Sequence, residues 1–188
     1  MKNLFIITAW ILSGTVYSQI IVGDAIGTAP INNKSSVLLE FANTNNKGIL
    51  LPYVRQKTSI PTEGSIILDV TDPTNARIKF FNNTPSTTDH WTDLSGQGAD
   101  VSFYLNSQPT MSQITEDSNA RSIIGANFTT VNDGVLVLES STKALVLPVV
   151  SDVNNIPSPS PGMLVYVNKA GAKRLAIFNG SKWSFWKP

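Results

Sequence analysis

Apolar residues come along this chain in short runs of five to seven, each closed by asparagine, aspartate, proline or glycine. Val37–Phe41, Gly48–Val54, Ser65–Val70 and Arg77–Phe81 are rich in Val, Ile, Leu and Phe and are bounded by ANTNN, TDPTN and NNTPS. Runs of this length and make-up, punctuated in this way, predict short β-strands. Arg174–Phe178 alternates as a half-buried strand does, with Leu175 and Ile177 on one face and Ala176 and Phe178 on the other. TDPTN (71–75) and NKAGAK (168–173) read as the turns of two hairpins, where proline fixes φ and glycine or asparagine tolerates φ > 0. Beyond residue 19 no window sustains helical periodicity over three turns; the best helical candidate is Ser112–Asn119.

The runs come twice. LLEF (38–41) matches VLES (137–140), with Glu40 opposite Glu139, and Ile26-Gly27 matches Ile124-Gly125. GILLPYV (48–54) matches ALVLPVV (144–150), 96 positions on. Ile60-Pro61 then meets Ile156-Pro157, GSIILDV (64–70) meets GMLVYVN (162–168), and RIKFFNN (77–83) meets RLAIFNG (174–180). Trp91 and Trp183 close the two copies, and the offsets stay between 92 and 99. The order of so many landmarks predicts a duplicated unit. The expected fold is all-β: two tandem homologous antiparallel β modules of short strands and hairpins, at 19–95 and 124–188. Residues 96–123 have no counterpart and read as a connector, with a candidate crossing strand at Val101–Leu105.

Pro52 and Pro148 follow three large aliphatic residues each. A continuous apolar run suits a strand buried on both faces, and proline cannot donate a ladder hydrogen bond. The expectation is a central strand that enters a core and must end or bend at the proline.

Residues 1–18, MKNLFIITAWILSGTVYS, have the layout of a secretory signal peptide. A lysine precedes an apolar stretch, and the small residues Val16 and Ser18 precede a cut at Gln19. The apolar stretch is well short of the ~20 residues that span a bilayer, so no transmembrane segment is expected after cleavage. The chain has no cysteine, which excludes a disulfide framework and a cysteine-borne lipid. Of its 14 Lys and Arg residues Lys2 lies in the leader, and all 13 Asp and Glu lie beyond it, so the remainder carries no net charge. Nucleic-acid binding, which draws its affinity from a basic surplus, is not expected. Charged residues make up 14% of the chain, against ~25% in ordinary domains; Asn, Ser and Thr supply the polar surface instead.

Candidate chemistry is sparse. His90, the one histidine, sits in DHWTD (89–93) beside Asp89 and Asp93, but the second copy has NGSKW there. Paired Cys or His zinc ligands are absent, as are HExxH, GxSxG and the phosphate-loop pattern. Glu40 and Glu139 are the acids placed alike in both copies, and a strand-end carboxylate that caps nearby amides accounts for them. DVTDPTN and VNDG lack calcium-loop spacing. No cofactor is implied, and the chain reads as non-catalytic. The aromatic C-terminus offers more. Trp183 and Phe185 share one face of an extended FNGSKWSFWKP, Trp186 takes the other, and such rings stack on sugars or anchor a protein partner. Trp183, Phe185 and Trp186, with Tyr53 after the first proline, are the candidate partner- or glycan-binding residues.

Together these motifs resemble secreted repeat-type β-proteins of bacteria with type IX secretion. The shared phrases are Ile26-Gly27-Thr28, Leu39-Glu40-Phe41, Lys47-Gly48-Ile49-Leu50-Leu51-Pro52, Pro61-Thr62-Glu63-Gly64 and Asn179-Gly180-Ser181-Lys182-Trp183. The chain departs from the pattern where an arginine often follows the proline (Tyr53 and Val149 here) and in NNTPSTTDHW, which replaces a short Asn-Gly turn. Similar modules precede trimeric fibre or tail-fibre heads, and others are encoded beside surface adhesins. The resemblance implies an exported interaction protein that docks on an envelope partner, either a cell-surface adhesin or a type IX secretion component. Its expected location is the periplasm, the outer-membrane surface or the extracellular space. With no separate translocon-directed β-domain in the sequence, it is expected to stay periplasmic or reach the surface within an assembly. A glycan-binding or trimeric fibre-type surface protein is the alternative.

Overall fold

A computed structural model describes residues 19–186 apart from 24–26, 28, 30, 43–45, 84, 86, 87, 110, 111, 116 and 118. The leader at 1–18 and the landmark residues Ile26 and Thr28 lie outside the described residues. Among the described residues fourteen strands of two to five residues make the fold all-β. Among the described residues no helix is long and apolar enough to cross a membrane.

Each half of the chain begins with a parallel pair. β1 (Ile20–Val22) lies beside β2 (Val37–Phe41), and β8 (Ser122–Ile124) lies beside β9 (Leu136–Leu138). A glycine with positive φ leaves the first strand of each pair, Gly23 at +105° and Gly125 at +104°. At Gly125 the backbone conformation and the space both demand glycine, since a Cβ would stand 2.2 Å from the Glu139 carbonyl oxygen.

Each half then places four strands in one sheet on one plan, the second sheet also receiving a fifth strand from the first half. In the first, β4 (Tyr53–Val54), β5 (Ile66–Asp69), β6 (Arg77–Phe81) and β7 (Trp91–Asp93) are neighbours in that order. In the second, the order is β11 (Val149–Val150), β12 (Met163–Val167), β13 (Arg174–Phe178) and β14 (Trp183–Trp186). The short leading strand runs parallel to its neighbour, Tyr53 opposite Leu68 and Val149 opposite Tyr166, and two antiparallel pairings follow. The hairpins expected at 71–75 and 168–173 are the antiparallel β5–β6 and β12–β13. Among the described residues half of the strand pairings are nonetheless parallel, where hairpins alone would give antiparallel ones.

The proline phrases explain part of that difference. GILLPYV is not one buried central strand. It is β3 (Ile49–Leu50) and β4, placed in two sheets with Pro52 between them. ALVLPVV is likewise β10 (Ala144–Leu145) and β11. Leu50 is 54% exposed and Leu145 38%, and β4 and β11 are edge strands. Each proline contributes what it has, a carbonyl: Pro52 accepts from Leu68 N–H and Pro148 from Tyr166 N–H, both at 2.9 Å.

β3 and β10 also lock the halves together. β3 crosses to pair antiparallel with β12, Ile49 opposite Leu164. β10 crosses the other way and lies parallel to β2. The main core is accordingly shared, Leu51, Leu68, Val70 and Ile78 packing with Leu164 and Ile177. Residues 96–123 contribute to it as well: Ala99 bridges to Ala76, and Val101 and Leu105 are buried. The strand expected at Val101–Leu105 is instead a helical turn, α1 (Ser102–Leu105), preceded by an Asx turn in which the Asp100 carboxylate accepts from Ser102 N–H at 2.9 Å. The helix considered at Ser112–Asn119 is not formed among its described residues, which hold turns.

Candidate functional site

The C-terminal strand lies where the two halves meet. Trp183 stacks obliquely on Phe178, centroids 5.3 Å apart, as Trp91 does on Phe81 at 5.2 Å. Both tryptophans therefore close a small satellite core of their own sheet. Phe185 is exposed on one face, which Arg174 covers, its guanidinium carbon 4.2 Å from the ring centroid. Trp186 is half exposed, and its indole N–H donates to the Leu94 carbonyl at 2.7 Å. Ser184 Oγ donates to the Ser95 carbonyl beside it. β14 is thus stapled to the segment that follows β7.

Tyr53 stands apart from these aromatics, on β4. Its hydroxyl donates to the Pro161 carbonyl at 2.8 Å, a second tie between halves. Burial, followed by the nearby Tyr104, pushes this phenol above its ordinary range. The sequence grouped Tyr53 with Trp183, Phe185 and Trp186; the structure brings the last three onto one strand and uses Tyr53 elsewhere on the same seam.

Two seam residues carried no functional mark in the sequence. Asn179 is fully buried, and its amide donates to the Gln97 carbonyl at 2.8 Å while its oxygen receives the Ser181 and Lys182 amides. Its signal was the Asn-Gly of a turn, with Gly180 at φ +113°. Asp133 accepts from the Thr62 amide at 3.1 Å and from its hydroxyl. In the sequence it was one acid of a turn.

The titratable groups form ties of their own. Glu40 is fully buried and accepts from the Ala29 amide at 2.7 Å, from Lys34 Nζ at 3.1 Å and from Gln19. Gly27 makes room for it, because a Cβ there would sit 1.9 Å from the carboxylate carbon. Glu139 accepts from the Thr129 hydroxyl. In the first sheet Asp69 bridges Lys57 at 2.7 Å and Lys79 at 3.1 Å, and Asp89 lies 2.9 Å from Lys57. Burial by itself raises the Asp69 carboxyl, but hydrogen bonds from Lys57, Thr71 and Lys79 outweigh it and hold the group well below the carboxylate range. For Lys57 burial works downward, and the bonds to Asp69 and Asp89 carry the ammonium above its usual value. Asp93 pairs with Arg77 and caps Ser95. The acids flanking His90 are therefore engaged by cations of the sheet. Among the described residues no group of three or more His, Asp or Glu could hold a metal ion.

A shallow groove of about 520 Å³ lies along Arg55, Pro73, Leu105 and Gln108. Gln108 donates to the Tyr53 carbonyl at 3.1 Å. The arrangement as a whole offers ladders, ring contacts and ion pairs, which is chemistry suited to holding chains together.

Residues 124–187, which hold β9 to β14 and the last residue of β8, match the model of a family described as a phage tail like trimerisation region. Neither a curated protein nor a solved structure matches the chain significantly.

Proposed function

We propose that this protein is a non-catalytic, exported component of a fibre-type surface assembly, and that it works as a trimer. The match of residues 124–187 to a trimerisation region carries this reading. The fold supports it in three ways. Short strands already cross between halves of the chain, which is how strands cross between subunits of an interwoven fibre. Apolar side chains remain exposed on the second half, among them Phe128, Val135 and Leu136, and these are available to a partner surface. The charged groups that could serve catalysis are paired within the sheets. An adhesin or secretion component of the envelope would dock on the assembled trimer.

Sedimentation equilibrium on the full chain after export from a bacterial host tests the reading. The expected result is three times the chain mass at micromolar concentration. A monomer across the accessible concentration range would overturn it.

A further inference from the structure

The first half of the chain has an open sheet edge on β5 whose counterpart in the second half, on β12, is filled. On β12, β3 pairs along Gly162, Met163 and Leu164: Leu51 N–H donates to the Gly162 carbonyl at 3.1 Å, Leu50 lies opposite Met163, and Ile49 opposite Leu164. The duplicated sequence puts Gly64, Ser65 and Ile66 at the same place on β5. There the hydrogen-bonding phase is the same. Gly64 N–H is used toward β6, on the Phe81 carbonyl at 2.8 Å, just as Gly162 N–H is used on Phe178 at 2.8 Å. Leu68 N–H points to the opposite edge, toward Pro52. Alternation along a strand therefore turns the Ile66 N–H and carbonyl, and the Gly64 carbonyl, to that same edge. Among the described residues no strand pairs with it at Ile66, which is 38% exposed. A Cβ on Gly64 would meet nothing within 4 Å.

The strand that would fit is also present, with its outer edge open. β10 is the counterpart of β3, Leu145 standing for Ile49, Val146 for Leu50 and Leu147 for Leu51. Val146 donates to the Leu39 carbonyl at 2.8 Å, so its side of the strand faces β2. Leu145 and Leu147 then direct their N–H groups away, as Ile49 and Leu51 direct theirs to β12. Leu145 is 38% exposed. Within one chain β10 is held on β2, in a different sheet from β5. A donor edge and an acceptor edge are thus both unfilled, and each is seen filled by its own homologue one half away.

We propose that β10 of one copy of this chain adds antiparallel to β5 of a second copy, Leu145 opposite Ile66, Val146 opposite Ser65, and Leu147 N–H on the Gly64 carbonyl. This deepens the trimeric reading and rests on it. The contact is head-to-tail, so each copy gives one strand and receives one, and such a contact closes when its rotation returns to the first copy. Three copies complete the ring, each giving β10 to a neighbour and receiving β10 of another on β5. Affinity would come from main-chain hydrogen bonds, the ordinary term of strand addition, and register from the hydrogen-bonding phase of the two edges.

The absence of native cysteine makes the register testable. Val146 and Ser65 would form a non-hydrogen-bonded antiparallel pair, whose Cα atoms lie ~4.5 Å apart, within the reach of a disulfide. The double variant Ser65→Cys with Val146→Cys, oxidised in dilute solution, is expected to run as a covalent trimer on a non-reducing gel, and each single variant is not. A wild-type protein that sediments as a trimer while the double variant gives no linked species overturns the strand addition and leaves the trimeric reading standing. Linkage that stops at dimers overturns the ring of three. A monomeric wild type overturns the trimeric reading itself. Ile66→Pro removes one edge donor from a position that the monomer does not use. It is expected to lower the sedimenting mass to that of a monomer with an unchanged far-ultraviolet spectrum; a variant that remains trimeric counts against the proposal.

Discussion

Trp186 and Leu94, 92 residues apart, are joined by one hydrogen bond from the indole N–H to the backbone oxygen at 2.7 Å. The bond crosses from the last described strand to the end of the first sheet, beside Ser184 on Ser95. Trp186→Phe keeps a ring there and removes the donor. A bond of this kind contributes ~1 kcal/mol, so the melting temperature should fall by about 2–4 °C in a chain of this size. Circular dichroism through the thermal transition measures it, and an unchanged midpoint would mean that the staple contributes nothing.

The Asp69 bridge makes stability depend on pH in a set direction. Its carboxyl is depressed in the fold and returns to about 3.9 when the chain unfolds. Its contribution is therefore complete above pH ~4 and is lost as pH falls from there toward the folded value. Lys57, raised in the fold, contributes fully below its unfolded pKa of ~10.4 and loses that contribution as pH rises beyond it. Urea midpoints taken at pH 3, 7 and 11 should be highest at 7. In Asp69→Asn the drop between pH 7 and 3 should shrink, and a drop of undiminished size would assign acid sensitivity to other carboxylates.

Two glycines of similar φ should respond differently to alanine. At Gly125 (φ +104°) the new Cβ would meet the Glu139 carbonyl oxygen at 2.2 Å, whereas at Gly171 (φ +71°) it would meet nothing within 4 Å. Gly171→Ala bears backbone strain alone, of the order of 1 kcal/mol. Gly125→Ala adds a backbone clash and should cost several-fold more or prevent soluble expression. Equal urea midpoints for the two variants would be inconsistent with the parallel β8–β9 arrangement.

Leu164 belongs to the second half by sequence and to the shared core by packing. Leu164→Ala should cost about 2–5 kcal/mol and shift one transition that covers the whole chain. Tryptophan fluorescence and far-ultraviolet ellipticity should move together. Two separated transitions, with only the second displaced, would show that the halves hold their own cores.

The sequence made much of this fold legible, because strand ends are written in local chemistry. Pro52 and Pro148 break the ladder where they stand, TDPTN turns the first hairpin, and the paired tryptophans close their sheets. Partner choice was not legible. A two-residue strand such as Ile49–Leu50 has no periodicity by which to name its neighbour, and its approach to β12 needs glycine at 48, where a Cβ would lie 2.4 Å from Met163 Cγ. Val101–Leu105 reads equally as a strand or a buried turn, because five residues are too few to separate the two periods. Of the aromatics, the sequence showed their density at the C-terminus but not that Arg174 covers Phe185 or that Trp186 donates to Leu94, since both partners come from distant positions.

The exchange of β3 and β10 also sets an order of events. β2 receives its neighbour from residues 144–145, and the core around Leu68 and Ile78 is completed by Leu164 and Ile177. A chain emerging from its N-terminus therefore cannot finish the first sheet system before most of the second has been delivered. Contacts of such long sequence separation fold slowly, and until then β2 and the core stay uncovered. Truncation near residue 123 would leave a permanent species of that kind, with strand edges open to any neighbour. The open edges of such a truncated chain are the places where a neighbouring copy would add first.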